Sequence, residues 1–188
     1  MRTRTLATIL GGALLLAGCG DRNLVLNVDV KSFLAESQSK AAIGPVPPLA
    51  GGLFLGEQPM VDDVTINLLQ GVSGMVAVHD VSVRIRTAFH DSTGGGSDTL
   101  KVYVSDENTD PMSTAPALVQ AVTFTPGMSD TVESTLSGDP RIAEIFTKHR
   151  MRLSVTTALR GPAAGAPLNG RFEVLKLDAV VVAGRKGM

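Results

Sequence analysis

The sequence predicts an all-β chain, an antiparallel β-sandwich of immunoglobulin-like or jelly-roll type with one short helix near 140–149. Apolar and polar residues alternate with period two in run after run between Leu24 and Val182. Turns rich in Gly, Pro and Asp separate the runs, and one segment alone carries helix signals. A curved sheet wrapped on one helix fits the same pattern less well. The chain has 188 residues, with 44% hydrophobic and 19% charged, which suits a globular core and argues against disorder. Residues 24–188 are expected to form a single domain.

The first strand is marked by Leu24, Leu26, Val28 and Val30, alternating with Val25, Asn27, Asp29 and Lys31. Residues 35–60 break the pattern. Pro45, Pro47, Pro48 and Pro59, with Gly44, Gly51, Gly52 and Gly56, predict a long connection with one short strand, because proline cannot donate to a central ladder. Within it, Leu53-Phe54-Leu55 reads as packing for a covering loop, with a partner-facing role as the alternative. Val64, Ile66 and Leu68 resume the alternation. The long run to His90 puts Val81, Val83, Ile85, Thr87 and Phe89 on one face, whereas Val76 and Val78 have the opposite parity. The chain must therefore bulge near His79-Asp80.

Residues 92–98 are a turn, read as a flexible hairpin loop around Gly94–Gly96, and Leu100, Val102 and Val104 return to the sheet. Further strands fit Leu118 to Thr125, Thr131 to Leu136, 151–160 and 170–182, the last with a parity shift around Leu175. The helix follows Asp139 as cap and Pro140 as first residue, with Ile142, Ile145, Phe146 and His149 on one face.

The start of the chain differs from the rest. Arg2 and Arg4 precede an uncharged, mostly apolar run from Leu6 to Gly18, which ends Leu16-Ala17-Gly18-Cys19. That run is shorter than the ~20 apolar residues of a spanning helix and matches a secretory signal. Basic start, apolar run and ending together resemble the bacterial lipoprotein precursors, whose lipobox reads Leu, small, small, Cys. The resemblance covers residues 1–19. It implies a signal peptide over 1–18, cleavage between Gly18 and Cys19, a lipid on Cys19 and a tether of 19–23. Each buried CH₂ contributes about 0.8 kcal/mol, so two or more acyl chains hold a protein stably on a membrane. Gly20, not Asp, follows Cys19, and by analogy with enteric sorting this favours the periplasmic side of the outer membrane over the inner membrane.

The chemistry-bearing residues converge on no catalytic set. Cys19 is the only cysteine, so an intramolecular disulfide, Cys-bound zinc, an iron–sulfur cluster and a thiol nucleophile in the domain are excluded. Ser73 lies in Gly71-Val72-Ser73-Gly74-Met75, where a nucleophile elbow needs Gly in place of Met75. Asp106, Asn108 and Asp110 have the alternate spacing that opens a calcium loop. Pro111 and Ala117 then stand where an EF-hand needs Gly and Glu, so calcium is a weak expectation and no other cofactor is implied. His79-Asp80 and His90-Asp91 are eleven residues apart on one run, and His149 lies on the helix. Gly94–Gly96 has strands on both sides rather than a helix N-terminus, which argues against a phosphate cradle.

Seventeen basic residues face 18 acidic ones, a net charge of −1 that becomes −3 without Arg2 and Arg4, so nucleic acid is not an expected partner. With no Trp and only Tyr103, carbohydrate binding is disfavoured. The sequence therefore points to a membrane-tethered, non-enzymatic β domain with a structural or protein-binding role in the cell envelope, able to recruit partners by strand addition at a free sheet edge. A carrier or sensor of a lipophilic small molecule is the alternative, and an enzyme or calcium-binding module comes third.

Overall fold

Nine strands form among the described residues, all but one of them where apolar and polar residues alternate. The computed structural model describes residues 23–67, 76–148 and 150–185. They run β1 (Asn23–Asp29), α1 (Glu36–Ser39), β2 (Lys40–Val46), β3 (Gln58–Asn67), β4 (Val76–Thr93), β5 (Gly96–Asp106), β6 (Leu118–Phe124), β7 (Asp130–Ser137), α2 (Pro140–Thr147), β8 (Arg150–Arg160) and β9 (Leu168–Arg185). Short 3₁₀ turns occupy Val30–Phe33 and Pro111–Ser113.

All pairings are antiparallel, in one sheet of order β1-β9-β4-β7, with β2 also on β9, and a second of order β3-β8-β5-β6. The logic is nested: β1 and β2 pair with β9, β3 with β8, β4 with β7 and β5 with β6. The chain is thus one long hairpin rolled up until β9 meets β4 and β8 meets β5. This is jelly-roll connectivity, the second of the two sandwich types the sequence allowed.

Parity decides which residues enter the core. Val81, Val83, Ile85, Thr87 and Phe89 of β4 are buried, facing Leu100, Val102 and Val104 of β5 and Leu153 and Val155 of β8. The expected face changes are bulges. Val78 pairs with Ala183 and Asp80 with Val182, leaving His79 as the extra residue. Thr87 pairs with Val174 and Arg86 with Lys176, leaving Leu175 as another. On β9 the inward set accordingly changes from Phe172 and Val174 to Leu177, Ala179, Val181 and Ala183. Phe89 lies between Phe124, edge-on to it, and the tilted Phe172, each ring 5.3 Å away. One polar clasp joins the sheets inside: Thr87 Oγ1 donates to Gln120 Oε1 at 2.7 Å, and Gln120 Nε2 donates to Ser134 Oγ at 3.1 Å.

The segment expected as a long connection over 35–60 contains more structure than proline content suggested. β2 lies within it on the edge of its sheet, and its register with β9 shifts between Ile43 and Val46, where the cis Gly44-Pro45 peptide sits. Pro45 therefore occupies the one place where no ladder bond is lost. Between β1 and β2 the chain leaves β9 at Asp178 and rejoins it at Glu173. The excursion turns on Asp29, which accepts from the Ser32 amide, and places α1 as a second helical element besides α2. α2 forms as expected, capped by Asp139 Oδ1 on the Arg141 amide at 2.8 Å and burying Ile142, Ile145 and Phe146; His149 lies outside the described residues.

The connections segregate by end. Residues 47–57, 94–95, 125–129 and 161–167 gather at one end of the sandwich, while the start of β1 and the finish of β9 lie at the other.

Candidate functional site

A groove opens on the outer face of the larger sheet near its four-loop end. It is built by three adjacent strands. Ala42 of β2 pairs with Arg171 of β9, which pairs with His90 of β4; in the next row Lys40 pairs with Glu173, which pairs with Ala88. The outward side chains of these rows stand around the small Ala42, leaving a depression of about 440 Å³ lined by Lys40, Ala41, Ala42, His90, Arg171, Phe172 and Glu173. Lys40 Nζ holds Glu36 at 2.9 Å, which raises the ammonium pKa, with Glu36 and Glu173 both adding attraction, and lowers that of Glu36. The lining offers cationic donors and one carboxylate, with no hydroxyl or thiol side chain. Such a surface suits charged or polar groups, with Lys40 and Arg171 as cations, Glu173 as the carboxylate and His90 as the imidazole.

The 47–57 loop at the same end of the sandwich is the second feature. Backbone bonds hold it to the end of β8: Leu55 N donates to Leu159 O at 2.8 Å, Gly161 N to Leu53 O at 2.8 Å, and Leu49 N to Pro162 O at 3.1 Å. Leu53 packs on the core as a covering loop requires. Leu49, Phe54 and Leu55 do not; they are 54%, 59% and 36% exposed. These large apolar side chains stand at the surface on a hydrogen-bonded backbone.

A polar cluster secures the same loop to the outer face of the smaller sheet. Glu57 accepts from Lys101 Nζ (2.7 Å), Tyr103 OH (2.6 Å) and Thr156 Oγ1 (2.5 Å). Burial works to raise the Glu57 pKa, but the three donors and the Lys101 charge outweigh it and hold the carboxyl at about 2. Burial, reinforced by Glu57, pushes Tyr103 up. Asp98 is buried farther along β5; burial raises its pKa against the Thr157 hydroxyl and the Ala158 and Thr99 amides.

The sequence-marked residues are dispersed. Asp106 Oδ1 accepts from the Asn108 amide and Oδ2 pairs with Lys148, while Asp110 Oδ1 accepts from the Met112 amide to cap a 3₁₀ turn. These acids serve the turn itself. Among the described residues, no three His, Cys, Asp or Glu lie close enough together to hold a metal ion. His79 is exposed at its bulge beside Gly184, and only His90 reaches the groove. Gly94 is buried, and a Cβ there would meet the Ala166 and Pro167 carbonyls, so the expected flexible hairpin is a tightly packed turn. Cys19, Gly18 and Ser73 lie outside the described residues. The groove and the Glu57 cluster were not singled out by sequence, because their members come together only through pairing across the chain.

No family model and no curated protein matches the chain. Solved structures do. A chain of the T13 particle of infectious bursal disease virus is similar at 16% identity, with 96% of this chain and 40% of that one covered and a TM-score of 0.40. The subviral particle of the same virus gives 14%, 96%, 42% and 0.36. Broad bean stain virus gives 14%, 94%, 97% and 0.30. The chain spans about two fifths of the length of the bursal disease virus chains. These likenesses carry nothing about activity. Strand order by itself defines the class, a jelly-roll β-sandwich.

Proposed function

We propose that the chain is a lipid-anchored protein of the bacterial envelope, with its signal peptide removed before Cys19. Its β-sandwich serves a structural or protein-binding role without catalysis, on the periplasmic side of the outer membrane. The observation that carries the reading is the placement of the two ends. β1 begins at Asn23, four residues after Cys19, whereas the exposed Leu49, Phe54 and Leu55 lie at the opposite end. An anchor at one end leaves the apolar loop free to meet another protein. None of the described helices is long and apolar enough to cross a membrane.

Whole cells producing the chain and fed labelled palmitate test the anchor. Label is expected on the wild type and absent from Cys19→Ser; label retained by Cys19→Ser, or missing from the wild type, overturns it. The loop is tested by Leu49→Ser, Phe54→Ser and Leu55→Ser combined, since removing the wider segment would also remove β2 and its buried Ile43 and Val46. A protein co-isolated with the wild type should be lost from this variant.

A further inference from the structure

We infer that the free edge of β6 pairs antiparallel with the same edge of a second copy of this chain. The inference deepens the proposed protein-binding role by naming its partner, and its geometry stands independently of the anchor.

Open sheets expose unpaired backbone donors and acceptors at their edges, and proteins ordinarily block them with charge, proline, bulges or irregular register. The strands at this molecule's edges show such devices, with one exception. β3 contains Pro59, Asp62 and Asp63, the last at φ 44°, and two register shifts. β2 has Pro45, Lys40 and a shift. β7 carries Asp130 and Glu133, and β1 ends on Asp29. β6, Leu-Val-Gln-Ala-Val-Thr-Phe, has no charge, no proline and no shift over its whole ladder with β5. Its other edge pairs with no described strand.

Antiparallel self-pairing about Ala121 keeps both faces of the strand in place. With Ala121 opposite its own copy, Leu118 faces Phe124, Val119 faces Thr123 and Gln120 faces Val122. Each pair joins residues of the same parity, so the buried side chains (Leu118, Gln120, Val122, Phe124) extend one core and the exposed ones (Val119, Ala121, Thr123) extend one outer face. Val119, 53% exposed in a single copy, gains a β-branched cross-strand neighbour. No like charges meet. A seven-residue ladder is small beside the roughly 800 Å² per partner of a standard interface, so the pairing is weak when dilute and favoured where copies are concentrated.

The test is oxidative cross-linking of the full chain in the cells that make it. Across the two-fold, Cα atoms at 121 lie about 4.5 or 5.5 Å apart, and a disulfide spans roughly 4.4–6.8 Å. Ala121→Cys should form a covalent dimer several-fold above wild type, Thr135→Cys on β7 and Asn27→Cys on β1. Val119→Cys should dimerise poorly alone but join Thr123→Cys when the two are co-produced. Unchanged thermal unfolding of Ala121→Cys under reducing conditions shows that the fold is kept. Equal dimer at the control positions, or none at 121, overturns the pairing. Capture of a different protein at 121 also overturns it, while leaving the protein-binding role intact.

Discussion

Replacing Glu57 by Ala removes the acceptor that ties the 47–57 loop to the smaller sheet. Three donors lose their partner, but not equally. Lys101 is partly exposed and regains water, so its share is small. Tyr103 and Thr156 are buried, and each hydroxyl loses a bond to a charged group, for which about 1.5–3 kcal/mol is typical. Water entering the space left by Glu57 recovers part of that, leaving an expected loss of about 2–3 kcal/mol. Proton linkage expresses the same contacts as a dependence on pH. Lowering the carboxyl from 4.5 to about 2 on folding is worth about 3 kcal/mol at 1.36 kcal/mol per pKa unit, less a discount for the partial exposure of the side chain. Because the folded value is the lower one, this stability is fully present above the unfolded value near 4.5 and is lost as pH falls through about 2. Urea unfolding of wild type and Glu57→Ala between pH 7 and pH 2 measures it. The gap between the two proteins should be constant down to about pH 5 and close toward pH 2. A gap below about 0.5 kcal/mol at pH 7, or one unchanged at pH 2, refutes the reasoning.

Two further substitutions probe the frame. Phe89→Ala empties the space between Phe124 and Phe172 and should cost about 3–5 kcal/mol in the same urea assay; a loss under about 1 kcal/mol would mean that the three rings do not form the packed centre of the core. Gly96→Ala forces a Cβ into the Arg160 carbonyl oxygen at φ 149°, and its melting temperature should fall by several degrees, whereas Gly127→Ala, with nothing near its Cβ, carries the φ penalty alone and should fall less.

How much of this was legible depends on whether a feature is local. The bulges at His79 and Leu175 could be placed because a period of two makes any inserted residue visible as a change of face. α2 was legible because its cap, first-turn proline and apolar stripe all lie within ten residues. β2 was hidden by its prolines, since the rule excluding proline from central strands is silent about an edge with a register shift. Glu57 lies 99 residues from Thr156, and Ala42 reaches His90 only through Arg171. Periodicity tells which face a side chain joins, not which neighbour it meets, so neither the groove nor the Glu57 cluster had a sequence signature. Jelly-roll and immunoglobulin-like orders share the same strand pattern for the same reason.

The proposed anchor at Cys19 and the proposed pairing at β6 constrain each other. The two-fold axis of an antiparallel pair runs perpendicular to the sheet, so one copy is inverted end for end and the two Asn23 starts fall at opposite ends of the dimer. A dimer standing on end would point one anchor away from the bilayer, and the residues from Cys19 to Asn23 extend only about 14 Å. With the axis along the bilayer normal, the conflict disappears. Both β1 strands belong to the same layer, so on the proposed anchoring both lipids would start at the same height and enter the same leaflet. The outer face of the larger sheet then turns toward the headgroups, with Lys40, Arg84, Arg86, Arg171 and Lys176 set among Glu133, Glu173 and Asp178. Five cations against three carboxylates leave that face with two positive charges in excess, so on the proposed anchoring anionic headgroups would add to the hold of the two lipids. In this arrangement the Leu49, Phe54 and Leu55 loops point sideways, from both ends of the dimer, toward partners lying in the plane of the same membrane.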